Sequence, residues 1–157
     1  MCQFLSGLVI ENGDVLTHPM LDSHSDLMTY FHIPDKEIIR VVKWELPIAE
    51  NWEDIAAWTF RIDQDLLPGW WTPEMASATE ETARRRVQRM MLLEGAHRLI
   101  VDGCWLIGGH AQVEDVRAGR IMRVSGSAQV CGVSGSAQVR GVSGSAQVRG
   151  VSGSAQV

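Results

Sequence analysis

Apolar and polar residues alternate with strand periodicity along much of this chain, most clearly in its last third. In Val133-Ser134-Gly135-Ser136-Ala137-Gln138-Val139, positions 133, 135, 137 and 139 share one face, which carries Val, Gly, Ala and Val. The opposite face carries Ser134, Ser136 and Gln138. The pattern predicts a strand over 133–139, turned at Arg140-Gly141, where glycine tolerates positive φ. Gly, Ser and Val are poor helix formers, so a helix is not expected.

The unit recurs. Ser125 to Val133 read SGSAQVCGV, Ser134 to Val142 and Ser143 to Val151 both read SGSAQVRGV, and Ser152 to Val157 read SGSAQV. Gly108 to Val116, GGHAQVEDV, is a diverged copy, and Arg117 to Val124 a shorter one. A strand with only Val, Ala and Gly inside buries too little area alone and must stack on its own copies. One solution is a β-solenoid in which each nonapeptide forms half of an 18-residue coil. The other is an antiparallel meander with Arg-Gly turns. Small inward residues favour the narrow interior of a solenoid, and the in-phase valines argue against disorder. The last copy stops in mid-repeat, which predicts an open rung with unpaired backbone groups. Val151, Ser152, Ser154, Gln156 and Val157 are the expected interface for homo-oligomerisation.

Upstream the pattern is mixed. Phe4 to Ile10 reads as a strand, Glu11-Asn12-Gly13-Asp14 as a hairpin turn, and Val15 as the start of the return strand. Ser23 and Asp26 resemble a capping box for a short helix reaching Phe31, which Pro34-Asp35 breaks. Ile38 to Leu46 is β-rich, and Trp58 to Asp63 alternates as a half-buried strand does. Thr72 and Pro73 open a second helix, expected to run to Glu94 with Gly95 as its stop. Arg98 to Val101, the Asp102-Gly103 turn and Cys104 to Ile107 read as a β-hairpin. The expected fold is therefore an α+β N-terminal domain over residues 1–107, followed by a C-terminal β-solenoid, β-helix-like, of nonapeptide repeats over residues 108–157.

Charge sharpens that division. Residues 1–107 hold 9 Lys+Arg against 17 Asp+Glu, whereas residues 108–157 hold 5 Arg against 2 acids. An acidic head and a basic tail suggest different partners for each. The net charge of -5 excludes a chain built as a whole to coat nucleic acid. No apolar run approaches the roughly 20 residues of a membrane helix, and no signal peptide is evident. Three cysteines without a C-x-x-C pair argue against a disulfide framework and for the cytoplasm.

Candidate chemistry is sparse. Cys2 would become an N-terminal nucleophile if Met1 were removed, but Gln3-Phe4-Leu5 follows it where amidotransferases carry a Gly-Ile-type strand. His24 lies between Asp22 and Asp26, with His18 and His32 nearby, so His24 and Asp26 are candidates for base chemistry. No H-x-x-x-H or cysteine pair supports a metal site, and no metal or other cofactor is expected. Asp63, Asp65, Trp58, Trp70 and Trp71 form a polar-aromatic cluster; Trp70, Trp71, Asp63 and Asp65 are the expected partner-binding residues. Arg84, Arg85, Arg86 and Arg89 read either as a phosphate or RNA site or as a solvated helix face. The absence of a P-loop, G-x-G-x-x-G or G-x-S-x-G lowers the expectation of an enzyme.

Met1-Cys2-Gln3-Phe4-Leu5-Ser6-Gly7, Asn12-Gly13-Asp14-Val15-Leu16 and Asp22-Ser23-His24-Ser25-Asp26-Leu27 occur in that order. Ile62-Asp63-Gln64-Asp65 with Pro68 and Trp70 follows, and Gly103-Cys104-Trp105 precedes the Gly-x-Ala-x-Val repeats. This arrangement resembles uncharacterised phage and prophage proteins with a compact N-terminal domain and a short-repeat tail. The resemblance implies a viral accessory role and no particular reaction. The expected function is a non-catalytic protein that self-associates through its tail and binds a host protein or nucleoprotein complex. Inhibition of a host defence complex, in the manner of an anti-CRISPR, is the favoured form. A small hydrolase or transferase using Cys2 or His24, and a purely structural assembly module, are the alternatives.

Overall fold

In a computed structural model, residues 5–34 and 40–157 are described, and the chain divides into two compact units, Met1–Gln88 and Arg89–Val157. Cys2 and the parts of the first and third expected strands at Phe4 and Ile38 lie outside the described residues.

The first unit is built on an antiparallel sheet in the order β2-β1-β3-β4. Its strands are β1 (Leu5–Ile10), β2 (Val15–Leu16), β3 (Val41–Leu46) and β4 (Arg61–Ile62). The β1–β2 turn forms as expected. Gly13 takes φ +86°, and the Asn12 side-chain oxygen accepts from the Asp14 N–H at 2.9 Å. α1 (His24–Tyr30) starts at Ser23, whose hydroxyl accepts from the Asp26 N–H, and buries Leu27 and Met28. They pack with Leu8 and Val41. Val9, on the opposite face of β1 by strand alternation, lies with Val15 beside Met75, Ala78 and Thr79 of α2 (Pro73–Arg89). A helix therefore covers each face, which is why consecutive residues of β1 and β3 are buried.

α2 is capped by Thr72, whose hydroxyl accepts from the Met75 N–H at 3.2 Å. Glu74 in its first turn is held below the ordinary carboxylate value by its own backbone N–H and by Thr72. What Glu74 adds to this helix end is present above the carboxylate range and is lost as the pH falls through it. Two of the four arginines of the run act as ties, and Arg85 and Arg89 are exposed. Arg84 donates to the Trp58 carbonyl at 2.8 Å, to the Ile55 carbonyl and to Glu80. Arg86 donates to the Val15 carbonyl at 2.9 Å and to Thr17. Two expectations fail in this unit. The strand over Trp58–Asp63 shrinks to Arg61–Ile62, because a 3-10 turn at Ile55–Ala57 leads Trp58 into the core instead. There the Trp58 indole N–H donates to the Trp52 carbonyl. The second helix stops at Arg89 rather than Glu94, because Met91-Leu92 are taken as a strand by the unit that follows.

That unit is a β-solenoid of about four turns. One parallel sheet has the order β12-β10-β8-β6 and the other β11-β9-β7-β5. The strands are β5 (Met91–Leu92), β6 (Ala96–Ile100), β7 (Cys104–Ile107), β8 (Gln112–Val116), β9 (Arg120–Val124), β10 (Gln129–Val130), β11 (Gln138–Val139) and β12 (Gln147–Val148). The parallel pairing rules out the meander. It also rules out the hairpin at 98–107: β6 and β7 belong to different sheets, and Asp102-Gly103 is a corner of the coil. The coil starts at Met91, upstream of the first recognisable repeat at Gly108. Coil length grows along the stack. Met91 stands beside Leu106, Ala96 beside Gln112, Gln112 beside Gln129, and Gln129 beside Gln147, which are steps of 15, 16, 17 and 18 residues.

The expected seven-residue strand is not formed. Only Gln138–Val139 of that segment is β, and Gly135 sits exposed in a corner at φ +62°. A Cβ on Gly135 would lie 2.3 Å from the Arg117 carbonyl oxygen, so the corner admits only glycine. Ala137, Val139 and Val133 still point inward. The core is a set of columns of like residues: Ala111 under Ala128, Val113 under Val130, Val116 under Val133. Replacing Val133 by Ala should cost about 2 kcal/mol in denaturant unfolding, since its methyls are fully enclosed. Gly7 faces Trp44 across β1 and β3, and an added Cβ would meet the indole at 2.1 Å. Gly7→Ala should destabilise the first unit by about 3 kcal/mol, read from tryptophan fluorescence during unfolding.

Candidate functional site

Among the described residues of the first unit, the most deeply buried charged side chain is a carboxylate. Glu45, on the α1-covered face of β3, is 5% exposed, and its Oε2 accepts from Arg61 Nε at 2.8 Å and from a second guanidinium nitrogen. Glu45 and Arg61 are register partners between β3 and β4, so strand pairing itself sets the contact. His24, the first residue of α1, has a side chain 11% exposed. Its Nε2 lies 3.0 Å from the Trp44 carbonyl oxygen and its Nδ1 3.2 Å from Asp63 Oδ2. A carbonyl can only accept, so Nε2 carries the proton in that bond. Asp63 is fixed from behind. Its N–H donates to the Lys43 carbonyl at 2.8 Å, and the Gln64 side chain bonds the Lys43 N–H and the Val41 carbonyl.

His24, Glu45 and Asp63 thus bring one ligand atom each within 4.8 Å of one another. Of the three, Asp63 is the one open to solvent, with a side chain about half exposed. Sequence reasoning singled out His24 and Asp63 separately and missed Glu45 and Arg61. The signal for Glu45 was present in Val41-Val42-Lys43-Trp44-Glu45-Leu46, where an acid interrupts an apolar strand.

The other expected residues do not join this cluster. Asp26 is exposed in the first turn of α1. His18 packs on the Tyr30 ring at 4.6 Å, and His32 sits beyond the helix end at φ +56°, so the three histidines do not converge. The polar-aromatic cluster divides: Trp58 is core and Asp63 turns to His24. Trp70 and Trp71 are half-buried and meet edge to face at 6.2 Å, while Asp65, Leu66 and Leu67 are exposed. In the solenoid, Val151, Ser152, Ser154, Gln156 and Val157 are all exposed on the outermost coil. No helix among the described residues is long and apolar enough to cross a membrane.

No protein-family model matches the chain, and no curated protein or solved structure matches it.

Removing the guanidinium by Arg61→Met leaves the Glu45 carboxylate buried without its cation. Unfolding should show a loss of about 2 kcal/mol, moderated by the exposure of Arg61. Glu45→Gln with Arg61→Met should recover part of that loss.

Proposed function

We propose that this protein is a non-catalytic assembly and binding protein, in which the outermost coil of the solenoid pairs with the same coil of a second copy. One observation carries the reading. Val124 and Val133 are completely enclosed, and their N–H groups donate to the Gly141 and Gly150 carbonyls at 2.8 and 3.2 Å. One coil later the equivalent residues, Val142 and Val151, are 43% and 49% exposed. The Ser143 and Ser152 N–H groups bond back to Val124 and Val133. By the alternation of a parallel ladder, Val142 and Val151 therefore direct their own N–H and C=O away from the stack. The edge offers apolar side chains and unpaired backbone at once, the combination that invites strand addition.

The surface best matched to that edge is another copy of it. Ser134–Val142 and Ser143–Val151 are identical, and a second copy of the edge offers the same outward N–H and C=O groups for antiparallel pairing. A two-fold pair of edges closes on itself, so the assembly stops at two. Each copy would then present its acidic first unit, 7 Lys+Arg against 15 Asp+Glu over residues 1–88, to a partner. A basic macromolecular surface suits that charge, and Asp65, Leu66 and Leu67 beside Trp70 and Trp71 supply exposed apolar and acidic contacts. A host nucleoprotein complex, as the likeness to phage proteins implies, is a partner of that kind.

Sedimentation of the 157-residue chain should give twice 17.4 kDa. Val151→Lys should return it to a single-chain mass, with the circular dichroism spectrum unchanged. A wild-type mass of one chain across the micromolar range, or a Val151→Lys mass equal to the wild type, would overturn the proposal.

A further inference from the structure

The structure assigns a second property to the first unit: His24 Nδ1, Glu45 and Asp63 form a binding site for a divalent first-row transition ion. The histidine is arranged for ligation. Its Nε2–H is spent on the Trp44 carbonyl, so in the neutral ring the lone pair is on Nδ1, the atom that faces Asp63. A metal-bound histidine is usually held in this way, with its far N–H on a backbone carbonyl. The Nδ1–Oδ2 separation of 3.2 Å is close to the spacing of two ligands on one ion. Donors about 2.0–2.2 Å from a tetrahedral zinc lie about 3.3–3.6 Å apart. Glu45 has the corresponding outer support, since Arg61 fixes Oε2 and a carboxylate has a second oxygen to give.

The donor set selects the ion. One imidazole nitrogen and two carboxylates suit Zn²⁺, Co²⁺ or Mn²⁺, whereas Mg²⁺ and Ca²⁺ prefer all-oxygen sites. Three protein ligands leave coordination positions for water on the open side at Asp63. Two of the ligands are held in secondary structure, with His24 at the start of α1 and Glu45 in β3, while the half-exposed Asp63 side chain can turn on its fixed backbone. An ion here would tie the start of α1 to the β3–β4 edge. It would raise the stability of the first unit without touching the solenoid.

Co²⁺ titration of the metal-free, reduced 157-residue chain provides the test. Visible absorption should saturate at one ion per chain, with the ligand field of nitrogen and oxygen donors, and Zn²⁺ should displace it. Asp63→Asn changes one half-exposed oxygen and leaves the fold intact, and it should weaken Co²⁺ binding at least tenfold. His24→Ala should abolish binding, while His32→Ala should leave it unchanged. Zn²⁺ should also raise the unfolding temperature of the wild type and not of Asp63→Asn. A failure to saturate at one ion per chain, a thiolate-to-cobalt band, or a titration unaltered by Asp63→Asn would overturn the assignment.

Discussion

A coil lined with alanine and valine can dry its inner face only against another coil. That constraint governs the second unit. Parallel pairing puts each inward residue over its equivalent, so columns of Ala111 and Ala128, Val113 and Val130, or Val116 and Val133 are continuous apolar stacks. The same register places the Gln129 and Gln147 side chains over one another on the outer surface. Stability is a sum of neighbour terms, and a coil with one neighbour has half of them. The passage from enclosed Val133 to half-exposed Val151 is that halving, expressed as area.

The lengthening of the coil follows the size of what it encloses. The 15-residue steps end on Leu106 and Ile107, and a 16-residue step ends on Ile121. The perfect repeats hold only Ala and Val and take 18. They add Ser-Gly corners such as Gly126 under Gly144 and Gly135 under Gly153, where each glycine holds a positive φ that other residues rarely adopt. Repetition of the nonapeptide fixes the corner positions, and through them the register.

Periodicity made the solenoid legible, but strand length was not. Alternation in 133–139 was real at Val133, Ala137 and Val139. Gly135, which fits an inward strand position equally well, is a corner. A glycine cannot report from sequence whether it is inward or turning. Asp102-Gly103 misled for the same reason, since a turn signal does not say whether the next strand pairs with the last or with one a coil away. The helix ending at Arg89 shows a non-local ladder prevailing over local propensity, because Met91 and Leu92 pair with Leu106 and Ile107. In the first unit, caps and turns at Gly13, Ser23 and Thr72 were readable because each is local. The His24–Asp63 pair was not: it depends on the pairing of β4 with β3, and single-sequence periodicity carries no information on that pairing.

Hydrogen exchange at the amides of Val142, Val148 and Val151, followed as protein concentration is raised, addresses the open coil most directly. These groups face away from the stack, while the Val124 and Val133 amides one coil earlier are bonded. Protection at the three outer amides that rises with concentration, against constant protection at Val124 and Val133, is the result this account requires. Exchange at Val142, Val148 and Val151 that is independent of concentration would contradict it.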